Sequence, residues 1–386
     1  SPESALDKIA RERLSTVYMP GWKLTMLPDE VVARYTLAAG QACPAVSLYT
    51  EFDEETLDIK SHRTALERVM IADNLRHDRL DAVITEASLA GEAAADYPFA
   101  AELGFVHRLA RALKARREVV RGKPENFNRP DYSFRLERDP GCEADEPRGD
   151  ERVAITPRQR GAPLDLIVSE AMILANSTWG GWLAEFGVPA IYRSQAGLAP
   201  GIKVRMGVKP LPHAGMGVPQ YLWATSPLRR YVDLVNQWQI IACARHGRTA
   251  ALAAPFKPRD ATLFSIISAF DAAYTAYNDF QHAIERYWTI RWLAQQGVAE
   301  LDAAVMKDGL VRADGLPLVL RALGSESLPR GTHVRVRITG SDALTLDVHA
   351  NLVARLDDKA TTAAAAAAED ESDEEAAVEA APLALA

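Results

Sequence analysis

The sequence predicts an α+β protein, and three observations predict it. Apolar residues recur at helical spacing along several long stretches, shorter runs between them alternate apolar with polar residues around turn signals, and beyond Gly297 the texture changes to evenly spaced strands. The expected organisation is a larger domain over residues 1–298, a mixed sheet with packed helices. A small all-β barrel over 299–356 and a disordered acidic tail over 357–386 follow.

The elements justify this in order. The N-terminus "SPESALDKIARERLS" starts inside a helix, so the chain is expected to begin mid-domain. Residues 17–32, "VYMPGWKLTMLPDEVV", read as a Pro- and Gly-punctuated loop. A hairpin follows, "AVSLYTEF", the turn "DEET", then "LDIKSHRTALERV". Residues 80–120 are helical, broken around Gly91 and Pro98. A second hairpin joins Asp131–Glu137 to Arg152–Thr156. In "PLDLIVSEAMILANSTWGGWLAEFG", Leu164, Ile167, Val168, Ala171, Leu174 and Ala175 form one stripe that Gly187 ends. A short strand, "PAIYRSQ", leaves this helix. Further helices span 226–247 and 261–296. The second carries Phe264, Phe270, Tyr274, Tyr277, Phe280, Tyr287, Trp288 and Trp292, expected mainly as core. The strands after Gly297 alternate apolar with basic or polar residues, as a small antiparallel barrel does.

Composition narrows the class. The 386 residues are 48% hydrophobic and 25% charged, values of a globular protein, and no apolar run reaches membrane-span length. Three cysteines, Cys43, Cys142 and Cys243, show no ligand spacing, which fits a reducing cytoplasm. Nine acids and Lys359 fall in residues 357–386, so this tail carries the whole net charge of −8. Residues 1–356 hold 43 basic and 43 acidic groups, and the body is not barred from a polyanionic partner.

Candidate chemistry gathers at "TSPLRRYVDL". Ser226 is a preferred N-cap and Pro227 suits the first helical position, so Arg229 and Arg230 are expected in the first turn. A helix N-terminus already carries about half a positive charge, and a cation there loses ~0.3–1 kcal/mol unless an anion offsets it. Free N–H groups plus two guanidinium forks would hold a phosphate. The plainer alternative pairs Arg229 with Asp233 and leaves Arg230 in solvent. Tyr18, beside Trp22 and Lys23, and Phe127, in "ENFNRPDY", are rings that either stack on bases or cap a core. His213, in "PLPHAGMG", is either a ligand or a structural loop residue. The acids of 139–151 read as a solvated turn. No compact aspartate cluster of the kind magnesium chemistry needs stands on an apolar scaffold.

Four stretches in order, "STVYMPGWKLTMLPDEV", "NRPDYSF", "SEAMILAN" and "TSPLRRYVDLVNQ", together resemble the ribonuclease II/ribonuclease R family, and they cover most of residues 1–298. The resemblance implies an RNB-type catalytic domain lacking its N-terminal part, followed by an OB-fold RNA-binding domain. It also implies 3′-to-5′ hydrolysis of single-stranded RNA to nucleoside 5′-monophosphates with magnesium. By the same match Arg229 holds the scissile phosphate with Arg230 as its basic neighbour. Tyr18 stacks on the 3′-terminal nucleotide, and Phe127 closes the other end of the base stack.

The chain departs from the family pattern in places. The family aspartates, D-x5-D-x-D-D, belong upstream of Tyr18 and are expected before Ser1, in a separate N-terminal segment that would supply the magnesium ligands. Ser169-Glu170 stands where the family has Glu-Glu, Gln237 stands at or beside a common histidine, and a family acidic position falls on Gln281, with Glu285 one turn on. Two functions follow: the RNA-gripping part of an exoribonuclease, inactive alone, or a non-catalytic RNA-binding protein that keeps the fold. Both take single-stranded RNA as partner and neither involves a membrane.

Overall fold

The computed structural model describes residues 1–125, 131–137, 146–158 and 161–356. Phe127, Cys142 and the acidic tail lie outside the described residues.

Helix α1 (Ala5–Arg13) has its own N-cap, Ser4, whose hydroxyl accepts from the Asp7 N–H, so the chain does not start inside it. The expected loop contains a tight hairpin, β1 (Val17–Met19) and β2 (Trp22–Leu24), then α2 (Asp29–Tyr35). Gly21 supplies the left-handed turn between the strands, and Leu136 packs where its side chain would be. The long hairpin is β3 (Ala42–Phe52) and β4 (Ile59–Met70), with Asp53 capping the turn by accepting from the Glu55 and Thr56 N–H groups.

Short helices α3 (His77–Leu80) and α4 (Glu86–Leu89) precede α5 (Ala100–Arg121), so the expected break around Gly91 and Pro98 is present. The second hairpin is β5 (Asp131–Glu137) and β6 (Arg152–Arg158). Helix α6 (Pro163–Glu185) leads to the paired strands β7 (Tyr192–Ser194) and β8 (Arg205–Gly207).

Helix α7 (Tyr231–His246), the short α8 (Ala250–Ala253) and α9 (Ala261–Gln296) complete this region. At 36 residues α9 is about 54 Å long and acts as a spine. Its upper half, through Leu263, Ile266, Ile267 and Phe270, joins Tyr231, Val232 and Val235 of α7 and Ile173 of α6 in the main core. Its aromatics divide: Phe270 and Trp288 are buried, whereas Phe264 and Phe280 are exposed.

A mixed sheet was expected here, and the described residues instead form four separate antiparallel ribbons. Each ribbon is closed by its own connection. β1, β6 and β8 lie against α9, and β4 meets α7, so these strands pack on helices.

The second expected domain is a closed five-stranded barrel of β9 (Glu300–Val305), β10 (Leu310–Ala313), β11 (Val319–Leu323), β12 (His333–Asp342) and β13 (Asp347–Arg355), consistent with an OB fold. Its alternation is as read: Val334 and Val336 are buried, while Arg335 and Arg337 point out and pair across the ladder with Asp302 and Glu300. Ile290 and Leu293 of α9 enter the barrel core, and the Arg286 guanidinium donates to the Val319 and Leu346 carbonyls, so the spine carries the barrel.

Candidate nucleic-acid interface

The helix bearing the arginine motif starts later than its local signals say. Residues 226–230 form a single turn, with the Arg229 and Arg230 N–H groups both donating to the Ser226 carbonyl. Arg230 then adopts an extended conformation (φ −135°, ψ 127°) as the N-cap, and α7 begins at Tyr231. A tertiary contact explains the shift. Residues 14–16 run antiparallel to 229–231: Thr16 N–H donates to the Arg229 carbonyl at 2.9 Å, and Tyr231 N–H donates to the Leu14 carbonyl at 2.8 Å. Both arginines therefore precede the helix, and its first N–H points at protein rather than at an open anion site.

Asp233, in the first turn of α7 and fully buried, organises this corner. Its carboxylate accepts the Ser226 N–H at 2.8 Å and both arms of the Arg230 fork at 2.7 and 2.9 Å. The ion pair weighed from the sequence thus exists, but with Arg230 in place of Arg229. Burial works to lower the Arg230 pKa, and the charge and hydrogen bonds of Asp233 overcome it, leaving a net rise. The same guanidinium lies 3.8 Å from the ring centre of Trp223.

Arg229 is different. It is half-buried, and among the described residues its guanidinium has neither an ion-pair partner nor a hydrogen bond. Burial lowers its pKa, as does the neighbouring charge of Arg230, while Asp233, Tyr18 and Tyr274 oppose the shift.

Tyr18 sits at the centre of β1, two residues past the pairing with Arg229. Its N–H donates to Oε1 of Gln281 on α9 at 3.0 Å, and its phenol pKa is raised by burial against the pull of Arg229 and Arg230. The structure thus brings Tyr18, Arg229 and Arg230 together, and Gln281 supports the strand carrying the ring.

Near this corner Trp223, Arg193 and Arg117 carried no sequence signal, whereas Phe270, Tyr274, Glu170 and His213 were read from the sequence without their partners. Trp223, Tyr274 and Phe270 form an aromatic cluster, and Arg193 on β7 lies 4.0 Å from the Trp223 ring. Arg117 on α5 reaches across 53 residues to donate to Glu170 on α6, and also bonds Glu125 and the Met216 carbonyl, so Glu170 is held as a structural ion pair. His213 is fully buried; its Nδ1 accepts from the Met216 N–H and its ring meets Tyr221 edge-on, a structural role. A cavity of about 790 Å³ lies between β4 and α6, and none of Tyr18, Arg229 and Arg230 lines it.

Among the described residues no group of three or more His, Cys, Asp or Glu side chains is placed to hold a metal, and both Asp233 oxygens are already engaged. The described residues therefore do not fit a magnesium site by themselves.

Comparison with known proteins follows the same lines. Residues 1–201 and 202–246 match the RNB domain family. The chain is 26% identical over 345 residues to an uncharacterized ribonuclease of Synechocystis sp., covering 83% of this chain and 47% of that protein. It is 26% identical over 299 residues to Exoribonuclease 2 of Vibrio parahaemolyticus, covering 61% of this chain and 41% of that protein. The chain thus spans less than half the length of these curated relatives. Its fold is similar to that of Mycoplasma genitalium RNase R in complex with ribose-methylated single-stranded RNA, with a TM-score of 0.72 at 14% identity over 92% of this chain and 65% of that one. With more than half of its residues inside the family match, this chain belongs to the RNB domain family, the group of ribonuclease II and ribonuclease R exoribonucleases.

Proposed function

We propose that this chain is the RNA-gripping part of a 3′-to-5′ exoribonuclease that hydrolyses single-stranded RNA to nucleoside 5′-monophosphates. One observation carries the reading: a half-buried Arg229 guanidinium, without an anionic partner among the described residues, stands near the Tyr18 ring. A buried unpaired cation is costly, and a nucleotide phosphate removes that cost while the ring takes the adjoining base. In this reading Tyr18 holds the 3′-terminal nucleotide and Arg229 its phosphodiester, where a guanidinium stabilises charge developing on phosphorus oxygens. Arg230 contributes charge nearby and fixes the turn through Asp233. Phe127 closes the stack, and the barrel of 299–356 guides the strand inward.

Magnesium would supply a metal-activated nucleophile, with its carboxylate ligands expected upstream of this chain. The cytoplasmic placement drawn from cysteine usage belongs to the same proposal. No helix among the described residues is long and apolar enough to cross a membrane.

The test incubates the chain with 5′-labelled single-stranded RNA, with and without magnesium. Binding that weakens with salt is expected, and Arg229→Ala is expected to lower the log–log salt slope by about one. Wild-type affinity and slope in Arg229→Ala overturn the assignment. Full-length RNA persisting with this chain alone is expected on either reading, so the second arm uses the longest available form of the protein. RNA shortened from its 3′ end with magnesium supports the exoribonuclease reading, and full-length RNA with binding retained assigns the second reading, a non-catalytic RNA-binding role.

A further inference from the structure

We propose that Trp223 is a positioning residue for this site: its buried indole, clamped by the guanidiniums of Arg193 and Arg230, sets where Arg229 stands relative to Tyr18. The proposal rests on the reading of Arg229 as the phosphate-holding residue.

The geometry is specific. Arg193 and Arg230 lie 4.0 and 3.8 Å from the Trp223 ring centre. Two guanidiniums at that range would overlap on one face, so the indole lies between them. All three side chains are almost fully buried. Each is fixed at its base: the Arg193 N–H donates to the Tyr221 carbonyl, the Trp223 carbonyl accepts from Asn236 Nδ2, and the Arg230 fork grips Asp233. From Arg230 the backbone continues directly into the pairing with Ser15 and Thr16, two residues before Tyr18. An error in the placement of the indole therefore passes through Arg230 to the spacing between Arg229 and Tyr18.

A second observation separates this role from ordinary core filling. Trp223 Nε1 is buried and has no acceptor among the described residues. An orphaned buried donor is destabilising, and a phenylalanine here would still meet Phe270 and Tyr274 edge-on, without the donor and at the cost of some packing volume. What an indole offers beyond a phenyl ring is a wider and more electron-rich pair of faces for cations. The position keeps a ring that carries an unsatisfied donor and offers more to two arginines.

The test measures affinity for a 5′-fluorescein-labelled single-stranded oligoribonucleotide by anisotropy, together with thermal midpoints, for wild type, Trp223→Phe, Trp223→Leu, Arg193→Lys and Arg229→Ala. Trp223→Phe is expected to melt close to the wild-type temperature, the removed orphan donor offsetting part of the lost packing, while binding RNA about 2- to 5-fold more weakly, because a phenyl face keeps only part of each cation–π contact. Trp223→Leu is expected to bind more weakly still. Arg193→Lys, which keeps the charge and loses the flat stack, should follow Trp223→Phe. Unchanged affinity in Trp223→Phe overturns the proposal, as does a loss of affinity that only tracks a loss of melting temperature across the series. If Arg229→Ala itself binds as wild type, the underlying assignment of the site has failed instead.

Discussion

Thr16 donates its backbone N–H to the carbonyl of Arg229 at 2.9 Å, and this bond ties the strand that presents Tyr18 to the turn that presents the unpaired guanidinium. The Ser15 hydroxyl reaches the same carbonyl at 3.2 Å. A ring and a cation from opposite ends of the domain are therefore held by backbone rather than by flexible side chains. Such rigidity suits a site that must grip any base in one register.

The first prediction concerns that ring. Tyr18→Ala is expected to weaken RNA binding by ~1–3 kcal/mol, roughly 5- to 150-fold, because it removes a stacking face. Tyr18→Phe keeps the face and should bind within about twofold of wild type. A titration with labelled single-stranded RNA checks both. Equal losses in the two variants would mean that the hydroxyl, and not the ring, carries the contact.

Asp233 gives the second. Removing it strands the buried Arg230 charge and frees the Ser226 N–H, so Asp233→Ala is expected to cost about 3–5 kcal/mol of stability in urea denaturation. The double variant Arg230→Met/Asp233→Leu should recover most of that loss, since a buried pair is close to neutral against a well-packed apolar one. Failure of the double variant to recover would show that the loss came from the cap on Ser226.

How much of this was legible in the sequence depends on whether the signal was local. The barrel and α9 were readable because alternation and 3.6-residue periodicity are properties of adjacent residues: Val334 and Val336 turn inward beside the outward Arg335 and Arg337, and Asp260 caps the helix where its pattern begins. The start of α7 was misread for the complementary reason. Ser226 and Pro227 are sound local signals, but the Leu14 carbonyl captures the Tyr231 N–H and draws Arg230 into an extended conformation. The Arg117–Glu170 pair and the Arg193–Trp223 contact join distant segments and leave no mark in any window of sequence. Tyr18 was found as a candidate ring, yet its strand was read as loop because three residues are too few to show a period.

Glu285 supplies a pH-dependent prediction. Its pKa is raised, chiefly by burial and further by Asp131, with His282 opposing. A carboxyl whose pKa is higher folded than unfolded gives stability that is complete below the unfolded value, near 4.5, and lost as pH rises through the folded value. Glu285→Gln removes that loss. The variant should therefore melt above wild type at pH 7, with the difference shrinking to nothing below about pH 4.5. A difference that is constant with pH would show that the carboxyl is solvated as in the unfolded chain.

The last prediction concerns how the barrel is held. Arg286 projects from α9 and donates Nε to the Leu346 carbonyl at 2.6 Å and Nη1 to the Val319 carbonyl at 2.7 Å, one acceptor on β11 and one just before β13. Burial lowers its pKa, with Asp347 opposing, so the charge is partly desolvated and its hydrogen bonds are correspondingly strong. Ile290 and Leu293 enter the barrel core from the same helix and remain after substitution, so the barrel should stay attached to α9 and stay folded. Arg286→Ala is then expected to cost about 1.5–3 kcal/mol per lost bond to a charged donor, before water replaces part of it. Arg286→Lys should recover less than half, because an ammonium is a point charge and cannot reach two carbonyls from one planar fork. Thermal unfolding read separately on the barrel and on the helical region decides the matter. A single transition, lowered as a whole, is expected of Arg286→Ala because Ile290 and Leu293 keep the two regions coupled; two separated transitions, against one in wild type, would show that the guanidinium was what coupled them.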